Sequence, residues 1–309
     1  MPKTHNINDL LPVRYAYKLA HRIILPGFNG ASLFSTWKIF SQKVKTLRLQ
    51  ERAAAVTYNF LMAMPPTFLF LFSLVPYLPL KNVEQTILNT IKLLSPNNSF
   101  YYNVRGVIND LMHKQHRDAL SFGILLVLFF SSNGIIGLIR SFDSNPSLYV
   151  KRSGVRRRWT AIKLTIMLIT LIMAGITVLV FQSRDLNPYI RKTFHSMVAV
   201  KTVSFLILSL IVFVAISLIY TYGPSLKHRF RFVSAGSVFA TISSIIATAV
   251  FFFMVNHFFH YNKVYGSIGT LIAFMVWVWL NTTIILLGYE LNVSILLGRL
   301  SKTEADDKE

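Results

Sequence analysis

The sequence predicts an all-α integral membrane protein. Six transmembrane helices are expected, the first broken by proline, with a cytoplasmic amphipathic N-terminal helix and an extracytoplasmic helical hairpin. Three observations predict this. Of the 309 residues, 53% are hydrophobic and only 14% are charged. The apolar residues gather in six runs, most of them near or above the ~20 residues that a helix rising about 1.5 Å per residue needs to cross a bilayer. The net charge of +20 sits mainly between those runs, which is the mark of membrane topology rather than of nucleic-acid binding. No cysteine is present, so neither disulfides nor thiolate chemistry are possible.

Residues 1–52 read as a cytoplasmic or interfacial helical region. No short apolar core with a small-residue cleavage site opens the chain, so no cleaved signal peptide is expected. Phe34, Trp37, Phe40, Val44 and Leu47 recur at helical spacing, with Lys38, Lys43, Lys45 and Arg48 between them. A basic amphipathic helix with an aromatic edge lies in a membrane interface. Trp37, Lys38, Phe40, Lys43 and Lys45 are therefore the expected lipid-binding residues. The alternative is a helix packed on another cytoplasmic element.

Residues 53–297 read as the membrane domain, with spans at 53–80, 120–142, 159–181, 201–220, 234–259 and 267–297. Pro65 and Pro66 fall inside the first, where each removes a backbone donor, so a kink or break is expected. Arg52, Asn59 and Pro66 share a face. The long connection 81–119 carries two amphipathic patterns, Val83 to Leu94 and Tyr101 to Leu111, which predict the hairpin. In the second span Asn133, Gly137 and Arg140 form one polar stripe, expected to face protein or water. A cluster of Lys151, Arg152, Arg156, Arg157 and Arg158 follows it. In the fifth span Gly236, Ala240, Ser243 and Ala247 form a small-residue stripe of the kind that lets helices approach closely. Tyr261 to Gly266 are expected to turn tightly into the sixth.

That last span carries Asn281 near its middle and Glu290 near its C-terminal end. Glu290 is the only acidic residue inside an apolar span, and an ionisable group there marks a site by default. Helical geometry puts Asn281, Gly288 and Asn292 on one face and Glu290 almost opposite. Arg52, Arg140 and Lys163 are expected at the depth of Glu290, with Arg140 the favoured partner. Residues 298–309 read as a disordered acidic tail. Six spans put both termini on one side, which carries twenty Lys and Arg against nine on the other. The bias makes that side cytoplasmic and favours anionic headgroups of the inner leaflet.

Three stretches resemble the YihY/virulence factor BrkB family of bacterial inner-membrane proteins, once labelled ribonuclease BN. They are AAAVTYNFLMAMPPTFLFL at 53–71, VKRSGVRRRW at 150–159 and YNKVYGSIGTLIAFMVWVWLNTTIILLGYELN at 261–292. The doubled Pro65-Pro66 and the polar Asn59 depart from the family pattern. The resemblance implies six membrane helices in the bacterial inner membrane, a link with envelope lipids, and no established reaction.

Metal-dependent phosphodiester cleavage needs clustered carboxylates or histidines. The acids before the tail are scattered over both sides of the membrane. The pairs His113/His116 and His257/His260 have helical spacing, but neither carries the glutamate of an HExxH motif, and solvated interfacial histidines are the plainer reading. No catalytic residue, metal site or cofactor is expected, and no enzyme. The expected function is a transporter or lipid-translocating protein of the envelope, with Asn59, Pro65, Pro66, Asn133, Arg140, Asn281 and Glu290 as its polar interior or substrate path. A membrane scaffold that binds lipids or envelope partners is the alternative, and a fully paired, dry polar interior would favour it.

Overall fold

The computed structural model describes residues 30, 32–74, 120–143, 148–181, 197–227, 229–257 and 261–306, and ten isolated positions between 85 and 109. Seven helices are bounded among them: α1 (Leu33–Thr46), α2 (Leu49–Leu74), α3 (Leu120–Phe142), α4 (Gly154–Phe181), α5 (Met197–Tyr222), α6 (Ala235–His257) and α7 (Tyr261–Asp306). The only pairing of extended backbone among the described residues is a single bridge between Tyr149 and Leu226.

α1 starts where Ser32 caps it, the side chain accepting from the Ser35 N–H. Lys43 and Lys45 in the last turn suit the negative end of the helix dipole. Leu47 and Arg48 then turn the chain, Arg48 at a left-handed φ of 37°, a backbone state that costs an L side chain of order 1–3 kcal/mol. α2 follows at once and runs unbroken through Pro65 and Pro66, so the expected break is corrected. The Thr67 hydroxyl donates to the Ala63 carbonyl at 2.6 Å and pairs with the Ser131 hydroxyl at 2.6 Å. These bonds hold the helix to itself and to α3 just where the prolines remove backbone donors.

Helices α2 to α7 form a ring. α2 packs on α3, α3 on α4, α4 on α5, α5 on α6, α6 on α7, and α7 closes back on α2. α1 lies outside the ring against α7. The main core gathers Leu49, Ala53 and Val56 of α2, Leu138 and Phe142 of α3, Ile216, Ile219 and Tyr220 of α5, and Leu286, Tyr289 and Val293 of α7. A second cluster joins Ile135, Ile136 and Ile139 to Ala161, Leu164 and Leu218. The outer surface is apolar. Phe205, Leu206 and Leu210 of α5 and Ile242, Ile246 and Val250 of α6 are exposed. Apolar faces this extensive are stable only against lipid or protein.

Among the described residues, four stretches are long and apolar enough to cross a membrane: Gly154–Val178, Thr202–Tyr222, Ala235–Val255 and Leu271–Leu300. They match the third to sixth expected spans. α3 adds a shorter apolar stretch, Leu128–Phe142. α7 has 46 residues, so at 1.5 Å each it is about 69 Å long, twice what a bilayer core needs. It begins at Tyr261, where a turn was expected, and continues to Asp306, into the stretch read as a disordered tail. Most of the hairpin at 81–119 lies outside the described residues. The described positions there are helical, and the Lys92 ammonium stands 6.0 Å from the Tyr101 ring centroid.

The α6–α7 crossing is close. A Cβ on Gly236 would run into the Gly288 carbonyl and the Asn292 side chain. One on Gly288 would lie 2.6 Å from the Tyr220 hydroxyl and 2.8 Å from the Ala240 Cβ. Asn292 uses this proximity: its Oδ1 accepts from the Gly236 N–H at 2.8 Å and its Nδ2 donates to Ser234 at 2.8 Å. A side chain of α7 thereby satisfies an open donor at the N-terminus of α6.

Candidate functional site

At one end of the ring, α1, the start of α2, the end of α3 and the C-terminal half of α7 meet around Glu290. This carboxylate is 3% exposed. Lys43 of α1 reaches one oxygen at 3.2 Å, and Arg52 of α2 stands 3.9 Å from the other. Their side chains are 17% and 25% exposed. The tight turn at Arg48 is what lets both cations converge on one acid. Arg52 also donates to the Ser141 carbonyl at 3.4 Å, joining α2 to the end of α3. The Lys43 contact is the shorter and carries most of the pairing. Two cations thus share one buried carboxylate.

The expected partner, Arg140, is corrected. It is exposed and has no ion pair among the described residues. The α3 face that meets α2 is made of Ser131, Gly134, Gly137 and Ser141, and Arg140 projects elsewhere, toward the α4 side. There its charge opposes that of Arg158.

Beside Glu290, Tyr289 packs face to face on Phe142 at a centroid distance of 4.0 Å and edge-on to Tyr220 and Phe230. Its hydroxyl shares a 2.8 Å hydrogen bond with that of Tyr149. The Tyr220 hydroxyl donates to the Ile285 carbonyl at 2.6 Å. Tyr149 is delivered by the α3–α4 connection, which pairs with the α5–α6 connection. The Val150 N–H donates to the Ser225 carbonyl at 2.8 Å and the Lys227 N–H to the Leu148 carbonyl at 3.1 Å. Arg152 donates to the Gly223 and Pro224 carbonyls, and Asp143 accepts from the Ser225 N–H. Burial pushes the Tyr149 hydroxyl well above its ordinary value, Glu290 and Asp143 push the same way, and the Tyr289 bond and Arg52 oppose them. Burial also pulls the Arg152 guanidinium below its ordinary value, against the pull of Asp143.

The other expected site residues do not converge here. The Asn59 amide donates to Ala55 of its own helix and lies against Gly137. Pro65 is exposed and Pro66 half-buried. Asn133 accepts from Arg158 at 2.7 Å. The Asn281 amide donates to the Trp277 carbonyl at 3.0 Å and its oxygen accepts from Thr248, facing α6 as its helix position requires. On α1, Trp37, Lys38 and Lys45 are exposed and Phe40 is half-buried, its ring 5.9 Å from that of Trp37. Lys43 turns inward to Glu290 instead of joining them. The histidine pairs fall outside the described side chains. Among the described residues no three His, Asp or Glu gather to hold a metal ion.

Tyr149, Tyr289 and Asp143 were not singled out by sequence reasoning, and Arg152 only as a member of a basic cluster. Pairing between two loops far apart in the chain, Tyr149 with Leu226, leaves no local pattern in a sequence. The only available signal was the Gly-Tyr-Glu-Leu-Asn run at 288–292.

The profile of the family described as Virulence factor BrkB matches residues 40–309. A ribonuclease-like protein of Bacillus subtilis, YfkH, is 30% identical over 246 residues, covering 79% of this chain and 88% of its own. A UPF0761 membrane protein of Haemophilus influenzae is 23% identical over 263 residues, covering 82% of this chain and 91% of its own. No solved structure matches. With the all-helical ring, its apolar exterior and a profile match from α1 through the end of α7, the chain belongs to the Virulence factor BrkB family of membrane proteins.

Proposed function

We propose that this chain is a six-span transporter or lipid-translocating protein of the bacterial inner membrane, with both termini in the cytoplasm and no enzymatic reaction of its own. The observation that carries the reading is Glu290, a nearly sealed carboxylate in a membrane-crossing helix, shared by Lys43 and Arg52 at the end of the helix ring. Intramembrane ions of this kind are costly and accompany ion or substrate pathways. Lys43 belongs to a helix outside the ring, so the same contact can act as a latch between α1 and the bundle. The charge bias of the loops supports the sidedness. Lys38, Lys45, Trp37 and Phe40 remain placed to meet anionic headgroups beside that latch.

A scaffold without transport is the second reading. One observation favours it: Asn59, Asn133, Asn281 and Glu290 all have partners, as expected of a paired interior. Purified protein in liposomes separates the two. Transport of lipid accelerates loss of the outer-leaflet-inaccessible fraction of a fluorescent lipid under dithionite, and Glu290→Gln lowers that rate. A rate equal to protein-free liposomes, for wild type and variant alike, contradicts translocation and leaves the scaffold.

A further inference from the structure

Away from Glu290, the packed pair α3 and α4 carries an exposed arginine, Arg140, and a partly exposed one, Arg158. Arg158 is rigidly held. Its Nη1 donates to the Phe129 carbonyl at 3.1 Å, to Ser132 Oγ at 3.0 Å and to Asn133 Oδ1 at 2.7 Å. Its guanidinium carbon lies 4.0 Å from the Phe129 ring centroid, a cation–π contact. Nε and Nη2 are left without a hydrogen bond among the described residues. Arg140 sits on the same α3 face as Phe129, Asn133 and Ile136, by its helical spacing. It is exposed and close enough for its charge to act on that of Arg158. Neither is in an ion pair among the described residues. Two like charges thus lie on neighbouring helices with no acid paired to either among the described residues, and one is fixed in place by bonds that do not neutralise it.

The geometry points to a binding site here for the phosphate of an anionic membrane lipid, between Arg140 and Arg158. A phosphate offers the charge and the acceptor oxygens that the free edge of a guanidinium recognises. The surroundings select a lipid over a free anion. Phe129, Phe130 and Trp159 are exposed on the Arg158 side, giving acyl chains an apolar wall and the headgroup level a tryptophan. The site lies at the basic start of α4, toward the end of the ring that carries α1. It holds whether the protein translocates lipid or only binds it, so failure of the liposome assay does not bear on it.

The test is native mass spectrometry of the purified full chain in mild detergent, titrated with dioleoylphosphatidylglycerol or dioleoylphosphatidylcholine. Wild type should prefer the glycerol lipid. Arg140→Gln, an exposed change that leaves the melting temperature intact, should weaken that binding about fivefold, as expected for one basic side chain at a membrane surface. Binding of the choline lipid should not change, and Arg140→Lys should keep most of the preference. Arg231→Gln, which removes an exposed charge from the α5–α6 connection, should weaken binding less. Equal losses for Arg140→Gln and Arg231→Gln would mean diffuse attraction and overturn the site. Displacement of the glycerol lipid by equimolar sodium phosphate would overturn its assignment to lipid.

Discussion

At Glu290 one carboxylate faces two cations, and at Tyr149 the same cluster imposes a preference for the neutral hydroxyl. Burial first, then Glu290 and Asp143, raise the Tyr149 hydroxyl well above its ordinary value. A group whose folded value is raised adds stability that is fully present below its unfolded value and is lost as pH rises through the folded one. The melting temperature should therefore fall above about pH 10, the usual tyrosine value. Tyr149→Phe should fall less steeply there. Near neutrality it should be less stable by about 1 kcal/mol, the net worth of one hydrogen bond. Parallel pH curves for the two proteins would contradict this. Glu290 itself was legible in the sequence because an acid in an apolar run stands out against its neighbours. Its partners were not. Arg140 shares its depth, but depth along the bundle does not fix which face of α3 meets α7, and Lys43 lies on a helix outside the spans.

Helices were readable where periodicity and small residues speak together. The stripe of Gly236 and Ala240 predicted close approach, and the structure shows what uses it: Gly288, Tyr220 and Asn292 fill the space that side chains would occupy. Gly236→Ala and Gly288→Ala should each destabilise the protein by about 1–3 kcal/mol, the usual cost of forcing an extra methyl into a packed contact. Gly154→Ala meets nothing within 4 Å and should be neutral or slightly stabilising, since alanine is the better helix former. Equal melting temperatures for the Gly236 and Gly154 variants would show that the helices cross farther apart. The prolines taught the opposite lesson. Pro65 and Pro66 lose backbone donors as local rules say, yet α2 continues, because contacts with α3 through Thr67 and Ser131 hold both turns in place. A local rule fails where tertiary packing over-determines the backbone.

On the scale of the whole molecule, α1 is part of the fold. Its amphipathic pattern fitted either an interfacial helix or one packed on a neighbour, and hydrophobic spacing alone could not separate them. The structure shows it packed on α7, with Thr36 and Lys43 facing inward and Trp37 and Lys38 exposed. The ring order was equally hidden, because α7 closes on α2 across the whole length of the chain. The central claim is that Lys43 and Glu290 latch α1 to this ring, and a double-mutant cycle in one detergent tests it most directly. Glu290→Gln leaves the partly buried Lys43 without its acid and should cost about 3–5 kcal/mol. Lys43→Gln should cost less, because Arg52 still faces the acid. The double variant should be more stable than the sum of the two losses allows, with a coupling of about 0.5–3 kcal/mol. Strict additivity of the two losses would contradict the latch.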